Sequence, residues 1–250
     1  MVITPYSNVS QGKKEQVEKM FNQIAFRYDL LNQLLSFGIH KRWRRKAIQF
    51  LKSRIQNPES RIFLLDIATG TADFAIDAAK LIPIAIGTEK IIGIDISEDM
   101  LAIGRKKVEE KKLSQVIELK KADCENLPFE NNSFDAATVG FGIRNFENLE
   151  KGLSEVCRVL KKDGTFAILE FSIPQKFPLK QFYHFYLSTI CPLLGRMISK
   201  NPVAYDYLFK SVINFPYGEK MKNILVECGF ANVKIFPQTL GIVTIYLAKK

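Results

Sequence analysis

The 250-residue chain lacks several features that mark other classes of protein. It has four cysteines, Cys124, Cys157, Cys191 and Cys228. No two of them form a CxxC pair, so the sequence predicts neither a metal site nor a disulfide framework, and a reducing compartment fits. The N-terminal MVITPYSNVSQGKK has no apolar core like that of a signal peptide. We therefore expect a cytoplasmic protein.

Long apolar runs are also missing. The longest charge-free aromatic stretch, residues 181–195, falls short of the roughly 20 apolar residues that span a bilayer, and Pro192 and Gly195 interrupt it. It is nevertheless rich in Phe and Tyr. Such a stretch suits a helix packed on a sheet, the wall of a pocket for a large apolar ligand, or a face that rests on a membrane.

Positive charge is in excess, with a formal net charge of +10. This balance suits nucleic acid, an anionic membrane surface or simple solubility. Basic residues are dense at 41–45 and 105–112. Glu109 and Glu110 interrupt the second cluster, which favours a solvated helix face there. The first cluster is the better candidate for a docking surface.

From residue 61 onward the chain alternates strand and helix patterns, which predicts right-handed βαβ units and a mostly parallel sheet. Two amphipathic helices precede this core and can cap a ligand cleft, and a strand pair closes the chain. The predicted strands cover 61–67, 90–94, 115–120, 134–140, 164–171, 232–237 and 242–248, and the predicted helices cover 13–36, 41–52, 73–81, 98–112, 149–160 and 218–228. We expect one domain with a helical cap (1–58), a cofactor core (59–173), an aromatic helical insertion (174–216) and a C-terminal helix and strand pair (217–250).

The stretch RIFLLDIATGTADFAID, residues 61–77, is the predicted cofactor seat. A buried strand ends near Asp66, and a turn of small residues around Gly70 leads into a helix at Asp73. Ligands of doubly wound sheets bind at such carboxyl ends. The turn lacks G-x-G-x-x-G, and the Asp73 carboxylate would repel a pyrophosphate. S-adenosyl-L-methionine, which carries a sulfonium and an amino acid in place of phosphates, fits better.

Aspartates follow three successive predicted strands: Asp66, Asp95 and Asp123. Asp95 can hold a ribose through both hydroxyls, and Asp123 is placed to accept from an adenine amino group. Singly, each could be a helix cap or a turn residue. Together they favour a nucleoside-like cofactor.

Several sequence segments resemble those of a known family. DIATGTAD looks like the first motif of class I methyltransferases, and residues 17–44, 122–164 and 227–236 are similar to the ubiquinone/menaquinone C-methyltransferase family. The resemblance implies an α/β class I S-adenosylmethionine-dependent methyltransferase fold. Its Rossmann-like sheet has seven mostly parallel strands with an antiparallel last strand, plus a helical N-terminal cap and a helical insertion.

The resemblance also implies that Thr71, Asp95, Asp123 and Cys124 contact the cofactor, with backbone contacts from Gly140 where relatives often carry serine. Asp66, Gly70 and Asp73 of the turn complete the predicted cofactor site. Ala72 departs from the family pattern DxAxGTGD, which has glycine at this position. If that position needs a positive φ, alanine costs about 1 kcal/mol.

The activity implied is C-methylation of a prenylated quinol ring, with the demethylmenaquinol of the menaquinone pathway favoured over the 2-methoxy-6-polyprenyl-benzoquinol of the ubiquinone pathway. Another small-molecule or RNA methyltransferase of the same fold, or a nicotinamide-binding protein, remains an alternative. The GFGIRN phrase at 140–145 differs from the Asn/Asp-Pro-Pro-aromatic turn that binds a target amino group. We therefore expect no nucleic acid partner.

Four residues are the predicted catalytic group: Arg144, Asn145, His40 and Tyr28. Arg144 would stabilise a developing phenolate, and Asn145 would orient the ring oxygen. The alternative for Arg144 is an ion pair with Glu147 or Glu150. His40 could act as a base near neutral pH, and Tyr28 belongs to the predicted lid.

A prenylated substrate is mostly dissolved in the membrane. We therefore expect transient contact with the membrane surface, peripheral at its inner face, through residues 182–198 and the basic 41–45 segment.

Overall fold

The computed structural model describes residues 3–6, 10–54, 62–82, 90–193 and 202–250. Within these ranges seven strands form one sheet. They are β1 (Leu64–Ile67), β2 (Ile91–Asp95), β3 (Ile117–Lys121), β4 (Phe134–Gly140), β5 (Leu160–Phe171), β6 (Ala231–Gln238) and β7 (Val243–Lys249).

The strand order is β3-β2-β1-β4-β5-β7-β6. The first five strands pair in parallel, while β7 runs antiparallel to both β5 and β6. The predicted sheet, with its antiparallel last strand, is confirmed. Strand β1 lies between β2 and β4, so the direction of winding reverses at its carboxyl end, where α/β sheets bind ligands.

The starts of two strands differ from the predicted ones by three residues or more, and the other strand boundaries lie within two residues of the predictions. The first strand begins at Leu64 rather than at residue 61, and Arg61 lies outside the described residues. The fifth begins at Leu160 rather than at residue 164, because Leu160 already pairs with Phe134 ahead of a shift in register.

The helices are α1 (Lys13–Leu35), α2 (His40–Lys52), α3 (Asp73–Leu81), α4 (Glu98–Glu110), α5 (Leu149–Val159), α6 (Leu179–Phe185), α7 (Pro202–Asn214) and α8 (Glu219–Glu227). Helix α6 continues into a π-helical turn at Tyr186–Ile190. Apolar residues of α5 and α8 pack on one face of the sheet, and those of α2 and α3 pack on the other. The sheet is therefore covered on both faces, as its apolar parallel strands require.

A third layer covers the carboxyl edge of the sheet. Val17 and Met20 of α1 pack against Tyr205 and Tyr207 of α7, and α6 joins them through a cluster around Tyr183. This arrangement encloses space between the strand ends and the helices. None of the helices in the described ranges is long and apolar enough to cross a bilayer.

Candidate functional site: two joined cavities at the strand ends

The turn after β1 has an unusual backbone. Ala68, Gly70 and Ala72 adopt φ values of 50°, 55° and 63°, in the left-handed region. Beneath the turn, Asp66 accepts hydrogen bonds from the hydroxyls of Thr69 (2.5 Å) and Thr138 (2.7 Å). Burial raises the pKa of Asp66 to about 6, against these hydrogen bonds. Asp66 is thus tied to the turn through Thr69 and to β4 through Thr138.

Asp95 lies at the end of β2, facing the same turn. Its carboxylate accepts hydrogen bonds from the backbone N–H groups of Gly70 (2.8 Å) and Ser97 (2.9 Å). Burial raises the pKa of Asp95, while these N–H groups oppose the rise. The carboxylate is oriented by the backbone and keeps lone pairs for a ligand.

Asp123 lies beyond β3 and is already engaged. It accepts from the Glu125 backbone N–H (2.9 Å) and forms an ion pair with Lys14 of α1 at 2.9 Å. Its neighbour Cys124 is half-buried, and burial raises the pKa of that thiol well above its ordinary value. A thiol with a raised pKa stays protonated, so it lines the cavity as a neutral group and is a poor nucleophile.

Thr71 and Asp73 belong to a charged network that joins α1, α2 and α4 to the turn. The Thr71 hydroxyl donates to Asp29 (2.7 Å), and Lys107 contacts Thr71, Asp29 and Asp73. Arg44 reaches Asp73 at 3.1 Å. Burial opposes ionisation of Asp73, but Arg44 and Lys107 outweigh it and lower the pKa of its carboxyl.

Two cavities adjoin at this edge of the sheet. The smaller, of about 70 Å³, is lined by Gly70, Asp95, Asp123, Cys124 and Gly140 among others. The larger, of about 410 Å³, is lined by Asp66, Gly70, Thr71, Asp73 and Gly140 among others, together with all four predicted catalytic residues. The predicted cofactor residues are therefore divided between the two. Both cavities are lined by Phe21, Tyr28, Ala68, Gly70, Gly140, Phe141 and Asn145.

The larger cavity is mainly apolar and aromatic. The rings of Phe141 and Phe171 lie 4.5 Å apart, and Trp43 approaches Phe141 at 6.3 Å. Gly140 makes room for Phe74, another ring that lines this cavity, since a Cβ at residue 140 would lie 2.7 Å from it. A flat, apolar ring system is the ligand that such walls accommodate best.

Arg144 follows β4 and lines this cavity. It forms an ion pair with Glu170 of β5 at 2.8 Å, and not with Glu147 or Glu150, because Glu170 points from the neighbouring strand toward the loop. The Arg144 Nε is buried and has no hydrogen-bond partner within the described part of the chain. Lys13 of α1 holds the same loop by donating to the Arg144 carbonyl (3.1 Å).

Asn145, Tyr28 and His40 lie around the same space. The Asn145 Oδ1 is buried and unpartnered among the described atoms. Burial raises the pKa of Tyr28 and lowers that of His40, which Arg44 lowers further. His40 Nδ1 lies 2.6 Å from the Ser36 hydroxyl.

Sequence reasoning missed Glu170, Lys14 and Lys107. One signal pointed to Glu170: it is the single charged residue in the run FAILEF, where a buried strand has no reason to carry a carboxylate unless it is paired. For the two lysines no signal existed, since their partners lie on distant segments.

Comparison with known proteins identifies the family. The sequence model of the ubiE/COQ5 methyltransferase family matches residues 9–250. The chain belongs to this family. Among ubiE/COQ5 relatives, a demethylmenaquinone methyltransferase of Bacteroides fragilis is 49% identical over 99% of this chain and 97% of its own length. A ubiquinone/menaquinone biosynthesis C-methyltransferase of Citrifermentans bemidjiense is 44% identical over 95% of this chain and 97% of its own.

Solved structures support the fold of a ubiE/COQ5 methyltransferase. An S-adenosylmethionine-dependent methyltransferase from Thermotoga maritima aligns with a TM-score of 0.62 at 19% identity, over 93% of this chain and 99% of that one. A Haemonchus contortus phosphoethanolamine N-methyltransferase in complex with S-adenosyl-L-methionine has a TM-score of 0.58 at 16% identity, over 89% of this chain and 59% of that one. The predicted fold and cofactor are confirmed.

The residues of the smaller cavity fit S-adenosylmethionine. Gly70 has positive φ, and a Cβ built on it would meet nothing within 4 Å, so its backbone is open to a ligand. Asp95 and Asp123 supply acceptors for hydroxyl and amino groups, and the turn offers no phosphate cradle. Within the described ranges, no three His, Cys, Asp or Glu side chains gather as a metal site.

Proposed function

We propose that this ubiE/COQ5 methyltransferase methylates a ring carbon of a prenylated quinol, converting demethylmenaquinol to menaquinol. One observation carries the proposal: the small cavity lined by the predicted cofactor residues Asp95 and Asp123 adjoins a large aromatic cavity, and the two share lining residues such as Tyr28, Gly70, Gly140 and Asn145. A methyl group held in one can therefore face a flat ring held in the other. The relative from Bacteroides fragilis is named for demethylmenaquinone.

A benzoquinol of the ubiquinone pathway is the second candidate. The relative from Citrifermentans bemidjiense is named for both pathways at 44% identity. The larger cavity, at about 410 Å³, has room for either ring. We favour the naphthoquinol because the relative named for demethylmenaquinone is 49% identical to this chain, whereas the relative named for both pathways is 44% identical.

The chemistry divides between cofactor and protein. Bound S-adenosylmethionine supplies an electrophilic methyl group. The protein must make the ring carbon nucleophilic by helping a quinol hydroxyl to lose its proton. Once the carbon carries the methyl group, its hydrogen leaves as a proton, and the ring oxygen regains one to restore the aromatic quinol. Arg144 stabilises the resulting phenolate with its fixed charge, and Asn145 orients the ring oxygen.

We propose that His40, which lines the larger cavity, takes that proton. The hydroxyl hydrogen of Ser36 is donated to the Asn32 carbonyl (2.5 Å), so Ser36 can only accept from His40. In the neutral ring the hydrogen of His40 then resides on Nδ1, and Nε2 is the unprotonated nitrogen that a base needs. The lowered pKa keeps the imidazole neutral near pH 7, in the form that a base needs.

The mouth of the larger cavity is the surface that meets the membrane. Phe37 and Phe182 both line the cavity, yet they are 77% and 67% exposed. Lys41, Arg42 and Arg45 are exposed on α2, which begins beside Phe37. Apolar rings flanked by basic side chains suit a peripheral contact with anionic lipid. Part of the predicted docking segment, residues 194–198, lies outside the described residues.

Vesicle sedimentation tests this contact. Phe182→Ser should weaken binding to anionic vesicles at low salt, whereas Val226→Ser, which removes a 53% exposed residue from α8, should not. If neither the wild type nor the variants bind vesicles, with or without anionic lipid, the membrane contact is wrong.

We infer that the chain forms a single catalytic domain, which works at the cytoplasmic side of the membrane. Its core of residues 59–173 carries the cofactor, α1, α6 and α7 form the roof, α2 packs on the sheet, and the segment 217–250 completes the sheet. In support, α1 contributes Tyr28 and the insertion contributes Tyr183 to the same cavity.

The decisive experiment is methyl transfer from a labelled donor to reduced demethylmenaquinone, run beside a methoxy-polyprenyl-benzoquinol and bulk RNA. We expect label in the naphthoquinol. Label only in RNA, or in neither quinol, would overturn the proposal. A thermal shift with S-adenosylhomocysteine but not with NAD checks that the protein used is competent for its cofactor.

A further inference from the structure

Two tyrosines of the roof have buried hydroxyls without a hydrogen-bond partner among the described residues. Tyr183 of α6 is 6% exposed and Tyr207 of α7 is 3% exposed, and both line the larger cavity. Neither hydroxyl oxygen has a hydrogen-bond partner in the part of the chain that the structure describes. Buried hydroxyls in native proteins are normally paired, so an unpaired one calls for an explanation.

These hydroxyls belong to a larger set of unpaired atoms around one cavity. The Arg144 Nε and the Asn145 Oδ1 are also buried without partners among the described residues. Arg144, Asn145, Tyr183 and Tyr207 all line the larger cavity. Donors and acceptors thus face one apolar chamber from the sheet side and from the roof.

Both tyrosines remain protonated at any physiological pH. Burial raises the pKa of Tyr207 to about 12 and that of Tyr183 further still. They are therefore hydrogen-bond donors and not bases. A phenol donor bonds a neutral hydroxyl and bonds an oxyanion more strongly, because the second bond is assisted by charge.

We propose that Tyr183 and Tyr207 donate hydrogen bonds to the ring oxygens of the quinol, and that they stabilise the phenolate form together with Arg144. This inference rests on the proposed function and adds the roof helices to its binding site. Because an oxygenated ring can accept from these hydroxyls and a hydrocarbon cannot, the hydroxyls also favour such rings over hydrocarbon occupants of the same chamber.

Tyrosine-to-phenylalanine variants test the proposal, since they remove only the hydroxyl. Tyr183→Phe and Tyr207→Phe should each lower kcat/KM for the quinol at least tenfold, with most of the loss in kcat. The Kd for S-adenosylhomocysteine should stay unchanged. The melting temperature should hold or rise, because an unpaired buried hydroxyl is lost.

Two matched variants serve as controls. Tyr186→Phe removes a hydroxyl that donates to the Leu35 carbonyl at 2.6 Å and should lower the melting temperature. Tyr217→Phe removes a hydroxyl that accepts from Gln175 away from both cavities and should leave kcat/KM unchanged.

The outcomes separate the two proposals. A wild type that methylates no quinol overturns the proposed function itself. A wild type that does so, with Tyr183→Phe, Tyr207→Phe and their double variant equally active, overturns only the role of the tyrosines. Loss of activity accompanied by a lower melting temperature and weaker cofactor binding would also count against it, since that pattern marks a structural role.

Discussion

The Glu170 carboxylate accepts a hydrogen bond from the Arg144 guanidinium at 2.8 Å, with the two side chains 1% and 8% exposed. Glu170 also accepts from the backbone N–H of Phe171 (2.8 Å). Burial raises the pKa of Glu170, while Arg144 opposes the rise. The pair fixes the guanidinium through one nitrogen, while Nε is buried without a partner among the described residues.

Arg144→Met should abolish most turnover while the cofactor Kd stays unchanged. It should also destabilise the fold by about 3–5 kcal/mol, because Glu170 is left buried without its partner. Urea unfolding and calorimetry with S-adenosylhomocysteine measure the two effects.

The double variant Arg144→Met/Glu170→Gln separates catalysis from stability. It should recover most of the lost stability, since no buried charge remains, but none of the turnover. Lys210→Met, which breaks an exposed pair with Asp206 on α7, should cost less than about 1 kcal/mol. Wild-type kcat in Arg144→Met at saturating quinol would refute the role of Arg144.

Local patterns predicted much of this fold. The limits of β4 and α3 agree with the predicted 134–140 and 73–81, because each element has uniform apolar patterning and a clear break at its end. What could not be predicted depends on contacts between distant segments. The Arg144 partner lies 26 residues away on the next strand, and spacing alone does not say which acidic residue faces it.

The Lys14–Asp123 ion pair could not be predicted for the same reason, because it joins distant segments of the chain. The two residues are 109 positions apart, and their contact requires α1 to fold over the end of β3. The sequence indicated that Asp123 follows a strand, but not that Lys14 of α1 forms an ion pair with it. Predicted site residues could thus be placed at the correct edge of the sheet, while their partners could not be assigned.

Asp95→Ala should raise the cofactor Kd at least tenfold, because the carboxylate that is oriented by Gly70 and Ser97 is lost. Asp95→Asn keeps an acceptor and should have a smaller effect. Asp99→Ala is the control, since Asp99 is exposed in the first turn of the adjoining helix α4. Calorimetry showing equal Kd values for all three variants would reject the assignment of Asp95 to the cofactor.

Asp66 should make stability depend on pH. Burial raises its pKa from about 4 to about 6, so the fold favours the protonated carboxyl. The stability contributed by this group is fully present below pH 4 and is lost as pH rises through 6, by about 3 kcal/mol. Asp66→Asn should flatten the unfolding free energy between pH 4 and 7.

Asp73→Asn is the control for that pH series. The pKa of Asp73 is lowered, so its contribution is lost only as pH falls below its ordinary range. The slope between pH 4 and 7 should therefore persist in Asp73→Asn. A slope unchanged in Asp66→Asn would mean that other buried carboxyls, such as Asp95 and Glu170, set it.

Substitutions at Ala72 and at Gly104 should have interdependent effects on the free energy of unfolding. Ala72 has φ 63° and is fully buried, and a Cβ on Gly104 of α4 would lie 3.3 Å from its methyl group and 2.9 Å from Leu119. Gly104→Ala should therefore cost about 1–3 kcal/mol by overpacking. Ala72→Gly should be nearly neutral, since relief of the left-handed strain offsets the loss of a buried methyl group.

A double-mutant cycle decides whether the two positions share one space. In the double variant Ala72→Gly/Gly104→Ala, the methyl group added at residue 104 no longer meets a methyl group at residue 72. The double variant should therefore be more stable, by about 0.5 kcal/mol or more, than the summed changes in unfolding free energy of the two single variants predict. Ala72 lines neither cavity. The cofactor Kd of Ala72→Gly should accordingly match that of the wild type, and tighter binding would show that the methyl group reaches the cofactor after all.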